Sequence, residues 1–205
     1  MKKLLLLISL VAFTAASQAQ NTATIDMDQT FLKYYKTIHA EKRLKQQVKL
    51  IEDRAVQMEK KHKTTIAAYE KLVAESASVL LSEDTRKKKK EDAEAKGAEI
   101  RMLEKTMRSF NKDAKGQLSQ QHNQSRGLIL DEIKKVIEMV AKNKNYDMVL
   151  DTSGKTSNLI PTIIFTNGKN DLTDEVIAIL NKGHEKEVEE WEKEKASKKK
   201  AAEKN

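Results

Sequence analysis

Lysine and arginine side chains are the residues of this sequence whose number and spacing suggest a chemical role. Between positions 41 and 63, eight basic side chains outnumber four acidic ones, and five more form the run RKKKK at positions 86–90. Clustered cations attract anionic partners and do not by themselves catalyse a reaction. The candidate binding residues are Lys42, Arg43, Lys45, Lys49, Arg54, Lys60, Lys61, Lys63, Arg86, Lys87, Lys88, Lys89 and Lys90.

The run at positions 86–90 has two interpretations. It is either a site that contacts anions or a solvated helix face that the neighbouring Glu and Asp residues partly neutralise. In both cases it is too polar to pack in a core.

Residues that catalyse reactions or bind metals are not arranged in any known catalytic pattern. There is no cysteine nucleophile, no glycine-rich phosphate loop and no G-x-S-x-G elbow. The four histidines lack metal-ligand spacing: His39, His62, His122 and His184. The sequence therefore predicts a protein that is not an enzyme and has no metal site and no cofactor.

The first nineteen residues have the three parts of a secretory signal peptide. Lys2 and Lys3 form a positive start, residues 4–13 are apolar, and a small-x-small site places cleavage between Ala19 and Gln20. A membrane anchor is the alternative, but the apolar run is shorter than the roughly 20 residues that span a bilayer. The mature chain is predicted to be exported and soluble, and it keeps most of the formal net charge of +8.

The composition predicts long helices rather than a large globular core. Charged residues make up 34% of the chain and aromatic residues 4%, with a single proline. Such a chain buries a narrow helical seam more readily than a broad interior. With no cysteine, it must be stabilised by packing or association rather than by disulfides.

Two stretches carry the alternating spacing of three and four residues that is typical of coiled coils. The first predicts a helix over residues 31–81, about 75 Å long, and the second runs from Ala93 to Val140 with Gly97, Gly116 and Gly127 as candidate bending points. The predicted seam residues are Val48, Ile51, Ala55, Met58, Leu103, Met107 and Phe110.

The polar break near residues 82–84 predicts that the two helices form an antiparallel hairpin. A turn there pairs a small residue with a large one at each level, as interdigitating side chains require. The expected pairs are Ala55 with Phe110, Thr65 with Ile100, Leu72 with Ala93, and Ile51 with Ala114. The run at positions 86–90 then lies near the tip of the hairpin, fully solvated.

Short β-strands are predicted on both sides of the hairpin. The pattern predicts strands over residues 22–28, 145–151 and 159–166. It also predicts a helix over residues 171–182 that is capped by Thr173, and a cap at Asp28 or Thr30 for the first long helix. Three short strands leave edges exposed, so association through them is expected. The predicted core of this part is Ile25, Met27, Met148, Val149, Leu150, Ile163, Ile164, Phe165, Leu172, Val176 and Ile177.

Three segments resemble the Skp (OmpH-type) periplasmic chaperone family. They are TIDMDQTFLKYYKT near the mature N-terminus, YDMVLDTSG after the helices, and DLTDEVIAILN, which is the most specific. The resemblance covers nearly the whole mature chain, whereas the charged tail at 184–205 goes beyond the usual end of the family.

The resemblance implies an α+β, mostly α fold that assembles as a homotrimer. A small β-barrel body would form from residues 20–30 and 141–183 of each subunit, and helical arms (residues 31–140, tip near 82–90) would project from it around a cavity. Unfolded outer-membrane proteins would be held there without ATP by the basic residues. Ile38, Ile66, Val73 and Met102 would either contact these clients or have a packing role, closing the hairpin or packing near the body.

Anionic lipid and lipopolysaccharide are further candidate partners for the basic residues. A structural coiled-coil adaptor or spacer of the cell envelope is the alternative function. Specific nucleic-acid binding is disfavoured, because the leader directs export and no aromatic residues interleave with the lysines for base stacking.

Overall fold

The computed structural model describes residues 21–202, so the predicted leader and its predicted cleavage site at Ala19 and Gln20 lie outside the described residues. The chain divides into two compact units. We call residues 21–38 together with 128–202 the body unit, and residues 39–127 the arm unit. The elements in chain order are β1 (Thr22–Ile25), α1 (Met27–Lys33), α2 (Tyr35–Ser76), α3 (Glu83–Asn143), β2 (Met148–Asp151), α4 (Thr173–Leu180) and α5 (Glu185–Ala202).

The sheet of the body unit is centred on β1. This strand pairs in parallel with β2, with Thr22 opposite Met148 and Ile25 opposite Asp151. On its other side, Thr24 N–H donates to the carbonyl of Asn170 at 2.9 Å, and a parallel bridge joins Thr24 to Asp171. A four-residue strand therefore has hydrogen-bond partners along both edges.

The predicted strand over residues 159–166 is wrong for this chain on its own. Leu159 has φ +60°, a left-handed conformation that interrupts an extended strand, and it follows a turn in which its N–H donates to Thr156 O at 2.9 Å. The only pairing in this stretch among the described residues is an isolated antiparallel bridge between Lys155 and Pro161. Proline has no N–H with which to extend such a ladder.

The residues predicted to cap the helices of the body unit are not the ones that do so. Asp26 caps α1, because its Oδ1 accepts from Gln29 N–H at 2.8 Å, so the helix begins ahead of Asp28 and Thr30. Thr173 is likewise not the cap of α4. Its hydroxyl oxygen accepts from Asp26 N–H at 2.9 Å and so ties the start of α1 to the start of α4.

The core of the body unit lies between the sheet, the start of α2, the end of α3 and α4. Its largest fully buried side chains include Ile38, Ile133, Leu172 and Val176. They come from three helices and from the residue preceding α4, which shows that α4 packs its apolar face inward. Burying a side chain of this size stabilises a fold by about 1.5–3 kcal/mol.

The predicted first long helix is interrupted near its start. Tyr34 adopts an extended conformation, with φ −74° and ψ 128°, between α1 and α2. The buried Asn181 side chain satisfies the backbone groups on both sides of the break: it accepts from Tyr35 N–H and donates to Lys33 O, each at 2.9 Å. One amide therefore takes the place of helical hydrogen bonds that the break removes.

The arm unit is an antiparallel hairpin of α2 and α3 with the predicted register. His62 lies 3.4 Å from Glu104, the Tyr69 ring lies against Gly97, and Lys89 pairs with Glu75 at 2.7 Å. The seam residues predicted from the heptad pattern are half-buried. Residues 77–82 form the turn, so α2 ends at Ser76 rather than at residue 81.

The charged tail forms the helix α5 within the body unit. Val188 on this helix is buried, and the His184 ring that precedes it stacks on Tyr35 with 3.7 Å between ring centroids. Trp191 is half-buried and lines a cavity of about 700 Å³ together with Leu32 and Pro161. The tail therefore packs against the body through its few apolar side chains.

Candidate functional site

The thirteen basic residues singled out in the sequence lie in the arm unit, and most of them face solvent. Eleven are exposed, whereas Arg86 and Lys89 are half-buried. The Lys89 ammonium pairs with the Glu75 carboxylate of the facing helix at 2.7 Å, and this close ion pair lowers the pKa of Glu75 and raises the pKa of Lys89. The run at positions 86–90 is thus only partly solvated, because Lys89 closes the hairpin near its turn.

The basic residues of α2 form two stripes along the helix. The first basic stripe is Lys42, Lys45, Lys49, Lys60 and Lys63, and the second basic stripe is Arg43, Arg54 and Lys61. Helical spacing places the first stripe on one face of α2 and the second stripe roughly a quarter turn or more around the helix from it. Within the first, Lys63 pairs with Glu59 at 2.7 Å, which lowers the pKa of Glu59.

The hairpin turn carries two exposed apolar side chains. Val79 and Leu80 are 88% and 91% exposed, close in sequence to the exposed Lys87 and Lys88. The heptad spacing of the first long helix extends to Val79 and predicts a seam position there, which is wrong, because α2 ends at Ser76 and Val79 lies in the six-residue turn. The tip therefore presents apolar and cationic groups together.

Further apolar side chains are exposed along the arm. Leu50, Val56 and Met102 are 69%, 64% and 66% exposed, and Val73 is 41% exposed. Ile66 is half-buried, whereas Ile38 is fully buried in the body unit and so has a packing role. The surface of the arm unit thus combines cations with scattered apolar groups, a combination suited to chains that expose both acidic and apolar residues.

In the single chain, the predicted core residues of the body unit fall into three groups by their burial. Ile25, Leu172 and Val176 are buried, and five residues are half-buried: Met27, Val149, Leu150, Ile163 and Ile177. Met148, Ile164 and Phe165 are exposed, the last two by 87% and 82%. The exposed members lie on β2 and on the stretch that fails to form the third strand.

A polar cluster in the body unit was not found from the sequence. The Glu132 carboxylate accepts from the Tyr34 hydroxyl at 2.8 Å and pairs with the Lys36 ammonium at 2.7 Å. Burial and the hydrogen bond to Glu132 raise the pKa of the Tyr34 phenol, while the bonds from Lys36 and Tyr34 lower the pKa of Glu132. Because these residues are about a hundred positions apart, no local pattern connects them.

Two further features are absent from residues 21–202. No helix there is both long enough and apolar enough to cross a membrane. Nor does this part of the chain contain a cluster of three or more His, Cys, Asp or Glu side chains suited to holding a metal ion.

Comparison with known proteins confirms the family resemblance. The sequence profile of the outer membrane protein (OmpH-like) family matches residues 21–180. No curated protein sequence matches the chain significantly. Among solved structures, the chain is similar to an OmpH-like protein from Caulobacter crescentus that is provisionally described as an outer membrane chaperone. The TM-score is 0.55 and the sequence identity 13%, and the match covers 82% of this chain and 88% of that chain. At this identity the structural likeness shows the fold alone, and it is the family match over most of the length that places this chain in the OmpH-like outer membrane protein family.

Proposed function

We propose that the protein is an ATP-independent holdase chaperone of the periplasm. In this function it captures unfolded outer-membrane proteins and keeps them from aggregating. The observation that carries the proposal is the surface of the arm unit, where eleven of the thirteen candidate cations are exposed together with Leu50, Val56 and Met102. An unfolded barrel protein exposes acidic and apolar groups, and this surface offers a partner for each.

Capture by such a surface needs no energy source. Cations steer an acidic chain over about a Debye length, roughly 8 Å at physiological salt. Many weak contacts distributed along the helices then give avidity without a rigid site. Because each contact is weak, the client can be released one contact at a time, which is why the proposed cycle uses no ATP and no cofactor.

Association of three subunits is the second part of the proposal. Leu159, Ile164 and Phe165 are 78%, 87% and 82% exposed in the single chain, and apolar side chains so exposed favour a partner surface. In the proposed homotrimer, residues 20–30 and 141–183 of each subunit form a β-barrel body, and the stretch 159–166 gains the strand partner it lacks alone. The arms at 31–140 then enclose the client.

The tip of the hairpin suits a second partner. The exposed pair Val79 and Leu80 beside Lys87 and Lys88 matches the chemistry of an anionic lipid surface or of lipopolysaccharide, which combines negative headgroups with acyl chains. In this proposal, the contact forms in the periplasm, after the leader has been cleaved between Ala19 and Gln20.

The experiment that tests the holdase function is aggregation of a client. A urea-denatured outer-membrane β-barrel protein is diluted into buffer with mature chain (residues 20–205), and light scattering is followed across a salt series. We expect suppression to be complete near three chains per client and to weaken as salt rises. If the folded protein suppresses no aggregation at any salt, the holdase proposal is wrong and the envelope adaptor becomes the better explanation.

A further inference from the structure

A groove of about 450 Å³ lies between the two helices of the arm unit. Helix α2 contributes Arg54, Met58 and Lys61, spaced four and three residues apart, and α3 contributes Glu99, Met102 and Leu103. These spacings place one face of each helix along the groove. The groove therefore follows from the hairpin register and lies beside the seam.

The floor of the groove is apolar and adaptable. Met58 and Leu103 are half-buried seam residues, and Met102 beside them is 66% exposed. Methionine is flexible and its sulfur is polarisable, so it adapts to different side chains and makes favourable contacts with aromatic rings. Two methionines at one groove suit a binding site for clients of varied sequence.

The rim of the groove carries cations that are available to a ligand. Within residues 21–202, no carboxylate lies within ion-pair distance of the exposed Arg54 guanidinium. The Lys61 ammonium is 3.8 Å from Glu99, whose carboxylate is held more closely by Lys96 at 2.7 Å. A carboxylate entering the groove can therefore pair with Arg54 and compete for Lys61 without breaking a short ion pair.

We propose that this groove is a specific client subsite that binds an aromatic side chain together with a neighbouring carboxylate of the unfolded chain. The ring lies against Met58 and Met102, and the carboxylate lies between Arg54 and Lys61. The inference rests on the proposed holdase function, and it adds to that function by stating which short sequences of the client are held most tightly.

The first test compares two exposed apolar residues of α3. Met102→Glu places a repelling charge in the groove, whereas Leu128→Glu places the same charge in the body unit, at a site that is 68% exposed and does not line the groove. The probe is a fluorescein-labelled peptide with Tyr-Asp pairs in a Gly-Ser background, followed by fluorescence anisotropy. We expect the affinity to fall about fivefold or more for Met102→Glu and less than about twofold for Leu128→Glu.

The control peptide replaces each Tyr with Ser and keeps the carboxylates, so Met102→Glu is expected to weaken its binding by a smaller factor than that of the Tyr-Asp peptide. Equal losses for the Tyr-Asp peptide in Met102→Glu and Leu128→Glu would overturn the groove proposal. Both residues are largely exposed, so neither substitution removes a core side chain.

The second test observes the groove without mutation. The mature chain, with its methionine methyl groups labelled with ¹³C, is titrated with the Tyr-Asp peptide. We expect the Met58 and Met102 signals to shift, whereas Met107 on the seam and Met139 in the body unit stay unchanged. Shifts of equal size at all four signals would contradict a local site.

The two proposals can fail separately. Light scattering with the unmodified chain tests the holdase function, and the peptide and methyl experiments test the groove. If the unmodified chain suppresses aggregation while Met102→Glu and Leu128→Glu bind the peptide equally, the holdase function stands and the groove proposal is wrong.

Discussion

The body unit and the arm unit differ in how they bury apolar side chains. In the body unit, the large side chains of Ile38, Ile133, Leu172 and Val176 are almost completely removed from solvent. In the arm unit, the buried residues are Thr65, Ala93 and Ala114, all of them small. The body is thus stabilised by a few large contributions, whereas the arm depends on many partial ones and leaves its surface available for binding.

This difference has a physical origin. Two helices packed side by side can cover only the seam between them, so the larger seam residues remain half-buried. In the body unit, a sheet and several helix segments surround the same few side chains from different directions. Mutations should therefore affect the two units differently.

The largest expected effect is the loss of a body-core side chain. Ile133→Ala should lower the free energy of unfolding by about 3 kcal/mol, because it removes buried methyl groups and leaves a cavity. Ile51→Ala, at a half-buried seam position of the arm, should cost about 1 kcal/mol. Urea unfolding followed by circular dichroism measures both, and equal losses would show that the contrast between the units is not energetic.

A smaller effect is expected from the amide that bridges the break at Tyr34. Asn181→Leu should lower the free energy of unfolding by about 2 kcal/mol, because Tyr35 N–H and Lys33 C=O lose their buried partner. Asn123→Leu on the exposed part of α3 is the control and should be nearly neutral. If Asn181→Leu were also neutral in urea unfolding, the break would not depend on this side chain.

Substitutions on the arm surface should change the affinity for the client rather than the free energy of unfolding. Changing the first basic stripe to glutamine should weaken capture of the denatured barrel protein about tenfold at physiological salt, because five cations are lost where we propose the client binds. The control removes the same charge from the tail. The variants carry Gln at Lys42, Lys45, Lys49, Lys60 and Lys63, or at Lys186, Lys193, Lys195, Lys198 and Lys200.

Binding is followed by anisotropy of the labelled client across a salt series. Equal weakening by both variants would mean that net charge, and not the arm stripe, attracts the client. Both variants should unfold at nearly the same urea concentration as the unmodified chain.

The smallest expected effect is the pH dependence of the body unit. The pKa of Glu132 is lowered by its bonds from Lys36 and Tyr34. A lowered pKa in the folded state adds stability above the ordinary carboxyl value of 4.5, and this stability is lost as the pH falls through the folded-state pKa. Because the pair is partly exposed and screened, the loss should be on the order of 1 kcal/mol.

Urea unfolding at neutral pH and below pH 4.5 tests this dependence, with Glu132→Gln as the comparison. The substituted chain should lose less stability on acidification than the unmodified chain does. The same loss in both would assign the acid sensitivity to other carboxylates.

The difference between the units also decides how far the sequence could predict them. The hairpin register was predicted because a heptad pattern is local: each helix carries its own seam, and the contact between His62 and Glu104 agrees with that register. The third strand was predicted from a short apolar stretch, but a strand also needs a partner, and among residues 21–202 the stretch 159–166 has only the bridge at Pro161.

In the candidate site, too, the exposure of side chains could be predicted along the helices but not near the turn. Which basic residues lie on the arm follows from helix periodicity, so eleven of the thirteen are exposed, as a binding surface requires. The exceptions, Arg86 and Lys89, are half-buried near the hairpin turn, where Lys89 meets Glu75. The exposure of Val79 was not predicted, because the heptad spacing continues to Val79 although the helix has already ended at Ser76.

The sequence by itself determined the two long helices, their pairing, the basic surface and the family. Each of these depends on residue type and on spacing along one stretch of chain. Only the tertiary structure decided the break at Tyr34, the cap at Asp26, the Glu132 cluster and the packing of the tail. These depend on side chains brought together from distant positions, and the free energy of such contacts is set by burial and geometry that no local pattern records.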